Sequence, residues 1–240
     1  MTISFRLAAP LATLGALLAL SASAAPAKPK QAVAVPAGPT FAAMVEENDQ
    51  GHVLGNPEAS AKLVEYMSYT CSHCADFART GDAAIRGFYL PRGKVSYEIR
   101  HLLRDPIDLT AALLTHCGAP AKFIGNHEAL LKQQDDWLER ARKSTQAQRT
   151  RWSFGTNGAR FRAIASDLGF YAIMEDRGYT RPELDRCLAD ESKANAMAET
   201  SQRDIATFKL QGTPSFLLDG ELLDGVYSWE ALAPLLDKVG

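Results

Sequence analysis

Apolar and polar positions along this chain change rhythm several times, and each change marks an element. Residues 61–67, Ala-Lys-Leu-Val-Glu-Tyr-Met, are apolar and β-prone and predict a strand. Residues 75–89 predict a helix with Phe77, Ala78, Ile85 and Phe88 on one face. Residues 94–103 predict a second strand, with Val95, Tyr97, Ile99 and His101 on one side. Asp105-Pro106 then opens a helix that should run to about Cys117, with proline in its first turn. From there to about Leu210 only helical patterns occur, over 123–134, 160–168, 182–188 and, longer, 192–210. The last of these carries Met197, Ile205 and Phe208 on one stripe. Strand patterns return over 213–218 and 221–223, joined by an Asp219-Gly220 turn. Ser228 is placed to cap a last helix over 229–239, which Pro234 should kink. Ahead of all this, 41–47 reads as a short helix, 52–55 as the first strand and Asn56-Pro57 as a turn. The whole predicts an α/β protein, a small sheet interrupted by a helical insertion.

Residues 1–24 read as a secretory signal: Arg6 closes a short basic region, 7–20 is apolar, and Ala22-Ser-Ala24 suits cleavage. The apolar run is short and broken by Pro10, which argues against a membrane span. No cysteine near the cleavage point suggests a lipid anchor. Residues 25–40 are rich in Ala, Pro and Lys and predict a flexible leader. Export implies an oxidising compartment. The rest suits one globular domain with an insertion, or two small domains. Its charges nearly balance, 26 Lys and Arg against 28 Asp and Glu, so nothing points to nucleic acid or an anionic membrane surface.

The chemistry concentrates at Cys71-Ser-His-Cys74, between the 61–67 strand and the helix that follows. That position puts Cys71 at a helix N-terminus, where free N–H groups and the helix dipole stabilise an anion. His73, when protonated, would add a second positive group beside the sulfur, and both effects lower a thiol pKa. Two alternatives use the same spacing. A zinc site would need two further ligands at matching spacing, and Cys117 and Cys187 stand alone. An inert structural bridge is the other. Strand before and helix after favour a redox pair.

Three features together resemble one family: Cys71-Ser-His-Cys74, the late Thr213-Pro214 entering a strand, and Glu65 six residues before Cys71. They are those of the periplasmic thiol:disulfide oxidoreductases of the DsbA type, a thioredoxin-like fold interrupted by an inserted helical domain. The resemblance spans roughly 40–240. It implies a thioredoxin-like domain from 41–105 and 195–240 and a helical insertion over 106–194. It also implies a cis Thr213–Pro214 bond against the active-site sulfurs. Ser72, Thr213 and Pro214 would then contact substrate, and Glu65 would carry a proton to or from Cys74. One departure is visible. The commonest family motif has proline where Ser72 stands, so the redox potential is open more than the reaction type.

The expected function is a periplasmic dithiol oxidase that introduces disulfides into exported proteins with free thiols. The resemblance implies reoxidation by a quinone-linked inner-membrane partner, with no metal and no organic cofactor, and the protein is expected to be a monomer. A disulfide isomerase or reductase on the same scaffold is the alternative enzyme. A thiol-based copper-binding or chaperone module, resting on Met67 and His73, is a third reading. Four cysteines in an exported chain allow three pairings, and the redox motif removes one pair. Cys117 and Cys187 flank the insertion in apolar settings and are expected to form a structural disulfide, with two buried free thiols as the alternative. His101 and His116 are expected to be structural, and Met67, Tyr69, Phe77 and Trp137 core or groove lining. The charged run 133–151 should be a solvated helical face.

Overall fold

A six-stranded sheet in the order β1-β2-β4-β3-β5-β6 organises the chain. The computed structural model describes residues 41–239, together with Thr2. The expected signal (1–24) and leader (25–40) lie outside the described residues, Thr2 apart. The strands are β1 (Val45–Glu47), β2 (Gly51–Gly55), β3 (Ala61–Met67), β4 (Val95–His101), β5 (Ser215–Leu218) and β6 (Glu221–Leu222). β3 and β4 run parallel, and every other neighbouring pair is antiparallel. β3 and β4 lie at the centre, and their near-continuous apolar character is what burial on both faces requires. Their side chains divide by the two-residue period. Leu63 and Met67 join the main core, while Val64 and Tyr66 join a smaller cluster on the opposite face with Leu210 and Leu217. Glu65 shares the parity of Leu63 and Met67, so the strand itself drives this carboxylate into the main core.

α1 (Ser72–Phe77) follows β3 and continues through two π-helical segments, Ala78–Asp82 and Ile85–Tyr89. The wider turns rotate the expected apolar stripe. Phe77 and Ile85 stay buried, but Phe88 is 66% exposed rather than on the buried face. The predicted 41–47 helix is only a 3₁₀ turn, Phe41–Ala43, followed by strand β1. Pairing with β2 overrides the local pattern. The Asn48 side chain closes the hairpin by accepting from the N–H groups of Gln50 and Gly51. The strand expected at 52–55 is therefore the second. The Asp219-Gly220 turn has φ of 52° and 86°, both in the left-handed region a tight hairpin needs.

Between β4 and β5 lies the helical block: α2 (Pro106–Thr115), α3 (Phe123–Lys132), α4 (Gln134–Arg142), α5 (Gln146–Ser153), α6 (Asn157–Leu168), α7 (Phe170–Glu175), α8 (Arg181–Leu188) and α9 (Glu191–Phe208). α9 passes without a break through the expected domain boundary at 194/195. The charged run 133–151 is two helices, and one side of α4 is not solvated: Gln134 and Trp137 are buried. α10 (Trp229–Leu236) closes the described chain. Ser228 stands at its N-cap position but its side chain caps no backbone N–H. Cys117 and Cys187 are bonded, with Cα atoms 5.7 Å apart, joining the end of α2 to α8. Among the described residues no helix is long and apolar enough to cross a membrane.

Candidate active site

Cys71 is the N-cap residue of α1, with extended backbone, so the first free N–H groups of the helix face its sulfur. Cys71 and Cys74 are both unbridged thiols and both buried. Their environments differ. The Cys71 thiol is lowered from 9.0 to about 5, first by the hydrogen bond from the Cys74 side chain. The Thr213 side chain and the backbone N–H groups of Cys74 and His73 lower it further, against a burial that raises it. Burial pushes Cys74 well above the usual thiol range, and the hydrogen bond to Cys71 and the Glu65 charge push the same way. One sulfur is thus a stabilised thiolate and its neighbour a retained thiol.

His73 differs from expectation. Its side chain is exposed, and what it gives Cys71 is its backbone N–H. A ring in water is screened, whereas N–H groups fixed by the helix cannot turn away. Ser72 is exposed at the first helical position. Thr213–Pro214 is a cis peptide, and Pro214 is buried. While protonated, Cys71 Sγ donates to the Thr213 carbonyl at 3.2 Å. β5 begins two residues later, at Ser215, and pairs with β3 through Tyr66 and Ser215, which brings Thr213 to the sulfur. Cys71, His73, Leu102, Arg104, Ile205 and Thr213 border a cleft of about 380 Å³. An extended peptide could lie there against a partly apolar wall.

Glu65 is 2% exposed, and burial holds its carboxyl well above the usual range, with the neighbouring Asp82 charge adding to the rise. The Tyr97 hydroxyl touches both Glu65 and Asp82, the latter at 2.6 Å. One hydroxyl carries one proton, so it donates to only one carboxylate at a time. The other oxygen contact is favourable only when that carboxyl is itself protonated. Asp82 continues to His127 Nε2 at 3.3 Å, and His127 Nδ1 to the Tyr69 hydroxyl at 2.9 Å. A chain of five side chains thus runs under the cysteine pair.

Two more residues hold the loop that carries Cys71. Gln134 Nε2 donates to the carbonyls of Tyr69 and Cys71 at 2.7 and 2.8 Å. Asp108 accepts from the Ser68 hydroxyl at 2.6 Å and from the Tyr69 N–H at 2.8 Å. Burial lifts Asp108 to about 7 against those bonds. Sequence reasoning missed Gln134, Asp108, Asp82 and His127. The one available signal was polarity at inward positions of predicted helices.

The thioredoxin family model matches residues 47–238. A solved structure described as a protein-disulfide isomerase from Novosphingobium aromaticivorans is 42% identical, with a TM-score of 0.75, covering 80% of this chain and 98% of that one. The Wolbachia pipientis α-DsbA1 structure, 20% identical over 83% of this chain and 95% of its own, has a TM-score of 0.61 and shows the fold. A Rickettsia bellii protein provisionally named a protein-disulfide oxidoreductase is 28% identical over 81% of this chain. This chain covers 65% of that relative's length, less than two thirds.

Proposed function

The chain belongs to the thioredoxin family, and from that membership we propose that it is a thiol:disulfide oxidoreductase acting as a dithiol oxidase on exported proteins. The observation that carries the reading is the asymmetry of the pair, with Cys71 lowered to about 5 and Cys74 raised. In the oxidised enzyme a substrate thiolate attacks Cys71 Sγ, the Cys71–Cys74 bond breaks, and Cys74 leaves with the electron pair. Cys74 takes up a proton, for which Glu65 is the nearby carrier. A second substrate thiolate then attacks the substrate sulfur of the mixed disulfide, and Cys71 leaves as a thiolate. The substrate is oxidised by two electrons and the enzyme reduced by two. A low leaving-group pKa speeds the second step and favours the reduced enzyme.

Ser72, Thr213 and Pro214 border the reacting sulfur in this reading, and the cleft receives the substrate segment. Reoxidation falls to a quinone-linked membrane partner, the protein acts outside the cytoplasm as a monomer, and Cys117–Cys187 stays closed throughout. A disulfide isomerase is the second reading, favoured by the name of the Novosphingobium structure. The test gives the protein, pre-oxidised, a reduced two-cysteine peptide, and separately gives the reduced protein a scrambled disulfide substrate. Stoichiometric peptide oxidation with loss of the Cys71–Cys74 disulfide is the expected result. Catalytic rearrangement of the scrambled substrate without net oxidation of the peptide would assign the isomerase instead.

A further inference from the structure

Three of the five histidines are buried, and two of them, His52 and His101, gather with half-buried His116 and one carboxylate at the edge of the sheet away from β5. The register assembles them. Glu47 of β1 and His52 of β2 are directly opposed, His52 is paired with Ile99 of β4, and His101 lies two residues beyond Ile99 on the same face. His116, just past the end of α2, comes down onto them. The His52 and His116 ring centroids are 4.4 Å apart, and those of His101 and His116 are 5.1 Å apart.

We propose that Glu47, His52 and His116 are the protein ligands of a divalent transition-metal site of the zinc class. One ligand atom from each lies within 4.8 Å of the other two. Around a tetrahedral ion with bonds of about 2.1 Å, neighbouring ligand atoms stand roughly 3.4 Å apart, so small side-chain motions close the site. His116 Nδ1 is 2.9 Å from Glu47 Oε1, and His52 Nε2 is 4.0 Å from Glu47 Oε2. The second of these contacts is too long for a hydrogen bond and suits two ligands of one ion. His52 is 1% exposed, and its Nδ1 has no hydrogen-bond partner among the described residues.

His101 completes the arrangement. Its Nε2 lies 2.9 Å from His116 Nε2. With a metal on Nδ1, His116 keeps its proton on Nε2 and donates it to His101, which fixes the tautomer and the ring. Lys193 is the resident cation, bonded to Glu47 Oε1, and the ion takes Oε2. Glu47, His101, His116 and Lys193 open onto a cleft of about 740 Å³, which gives the ion a route and room for water as the fourth ligand. Two imidazoles, a carboxylate and water suit zinc or cobalt better than calcium or magnesium.

Zn²⁺ and Co²⁺ are the probes. The untagged protein is first oxidised, so that Cys71–Cys74 is a disulfide and offers no thiolate. Zinc is then titrated against a chromophoric chelator. Wild type should bind one equivalent, and Glu47→Gln and His116→Gln should each weaken binding at least about tenfold, the low end of what losing even an indirect partner of a ligand costs. Lys193→Met keeps every ligand and should retain the one equivalent. Co²⁺ on the oxidised wild type should give the intense visible bands of a four-coordinate nitrogen and oxygen site, a readout that needs no variant. No stoichiometric binding by the oxidised wild type, equal binding by Glu47→Gln, or only the weak spectrum of hydrated cobalt would overturn the proposal.

Discussion

Relative to Cys71→Ala, the reduced protein should become more stable as pH rises from 5 towards 9, because of the Cys71 thiol. The folded Cys71 thiol titrates at about 5, while an unfolded one stays protonated to about 9. Between those values the unfolded state binds the extra proton, so stability rises with pH and is lost as pH falls through 5. Each pH unit is worth about 1.4 kcal/mol, so pH 7, two units above 5, gains on the order of 3 kcal/mol. That is an upper value, because the sulfur borders an open cleft where water screens its charge. The disulfide form has no such thiolate, so the same energy makes the pair more oxidising by roughly 60 mV at pH 7. Urea unfolding under strong reductant from pH 4.5 to 8.5 measures it, comparing wild type with Cys71→Ala. The difference cancels the opposite slope of Asp108, whose raised carboxyl loses stability as pH rises towards 7. The pH dependence of alkylation of the reduced wild type, in which Cys74 stays a thiol, gives the midpoint directly. A wild-type slope equal to that of Cys71→Ala between pH 5 and 7, or an alkylation midpoint above 8, would refute the reasoning.

The other outcomes follow from single contacts. His73→Ala should shift the potential of the pair by less than about 30 mV, because its backbone N–H remains; equilibration with glutathione measures this, and a larger fall would restore the role expected of the ring. Gln134→Ala strips the buried Tyr69 and Cys71 carbonyls of their shared donor and should destabilise the protein by about 2–4 kcal/mol in urea, with unchanged stability counting against it. Cys117→Ser opens a loop spanning a sequence separation of 70 and should cost about 4 kcal/mol by chain entropy, read from calorimetric melting, where a loss under 1 would sink the estimate.

Strand and helix were legible wherever one period governed a segment. β3 was read to the residue, and the Asp219-Gly220 hairpin followed from its dipeptide. Reading failed where distant pairing or an altered helix replaced the local rule. β1 exists because β2 pairs with it, and Phe88 turns outward because π-helical turns intervene. The sulfurs and Thr213-Pro214 announced themselves because their chemistry is local to a motif. Gln134, Asp108 and the Glu47–His52–His116 cluster did not. Their partners stand 39 to 65 positions away in the first two cases, and only sheet register and the end of α2 bring the third together.

The proton argument links the two halves of the site. A pair that leaves Cys71 as a thiolate must return a proton to Cys74 inside a dry core. Water cannot supply it readily there, because Cys74 is 1% exposed. The Glu65–Tyr97–Asp82 arrangement needs a carboxyl proton to satisfy its own hydrogen bonds, and in the proposed oxidase reaction that is the proton offered to Cys74. Passing it to Cys74 would leave Glu65 charged near the Cys71 thiolate, whose charge raises Glu65. That proton must be replaced through His127 and Tyr69 or through the cleft before the next turnover. In the proposed reaction the reprotonation of Cys74 would therefore draw on this buried chain or on the cleft.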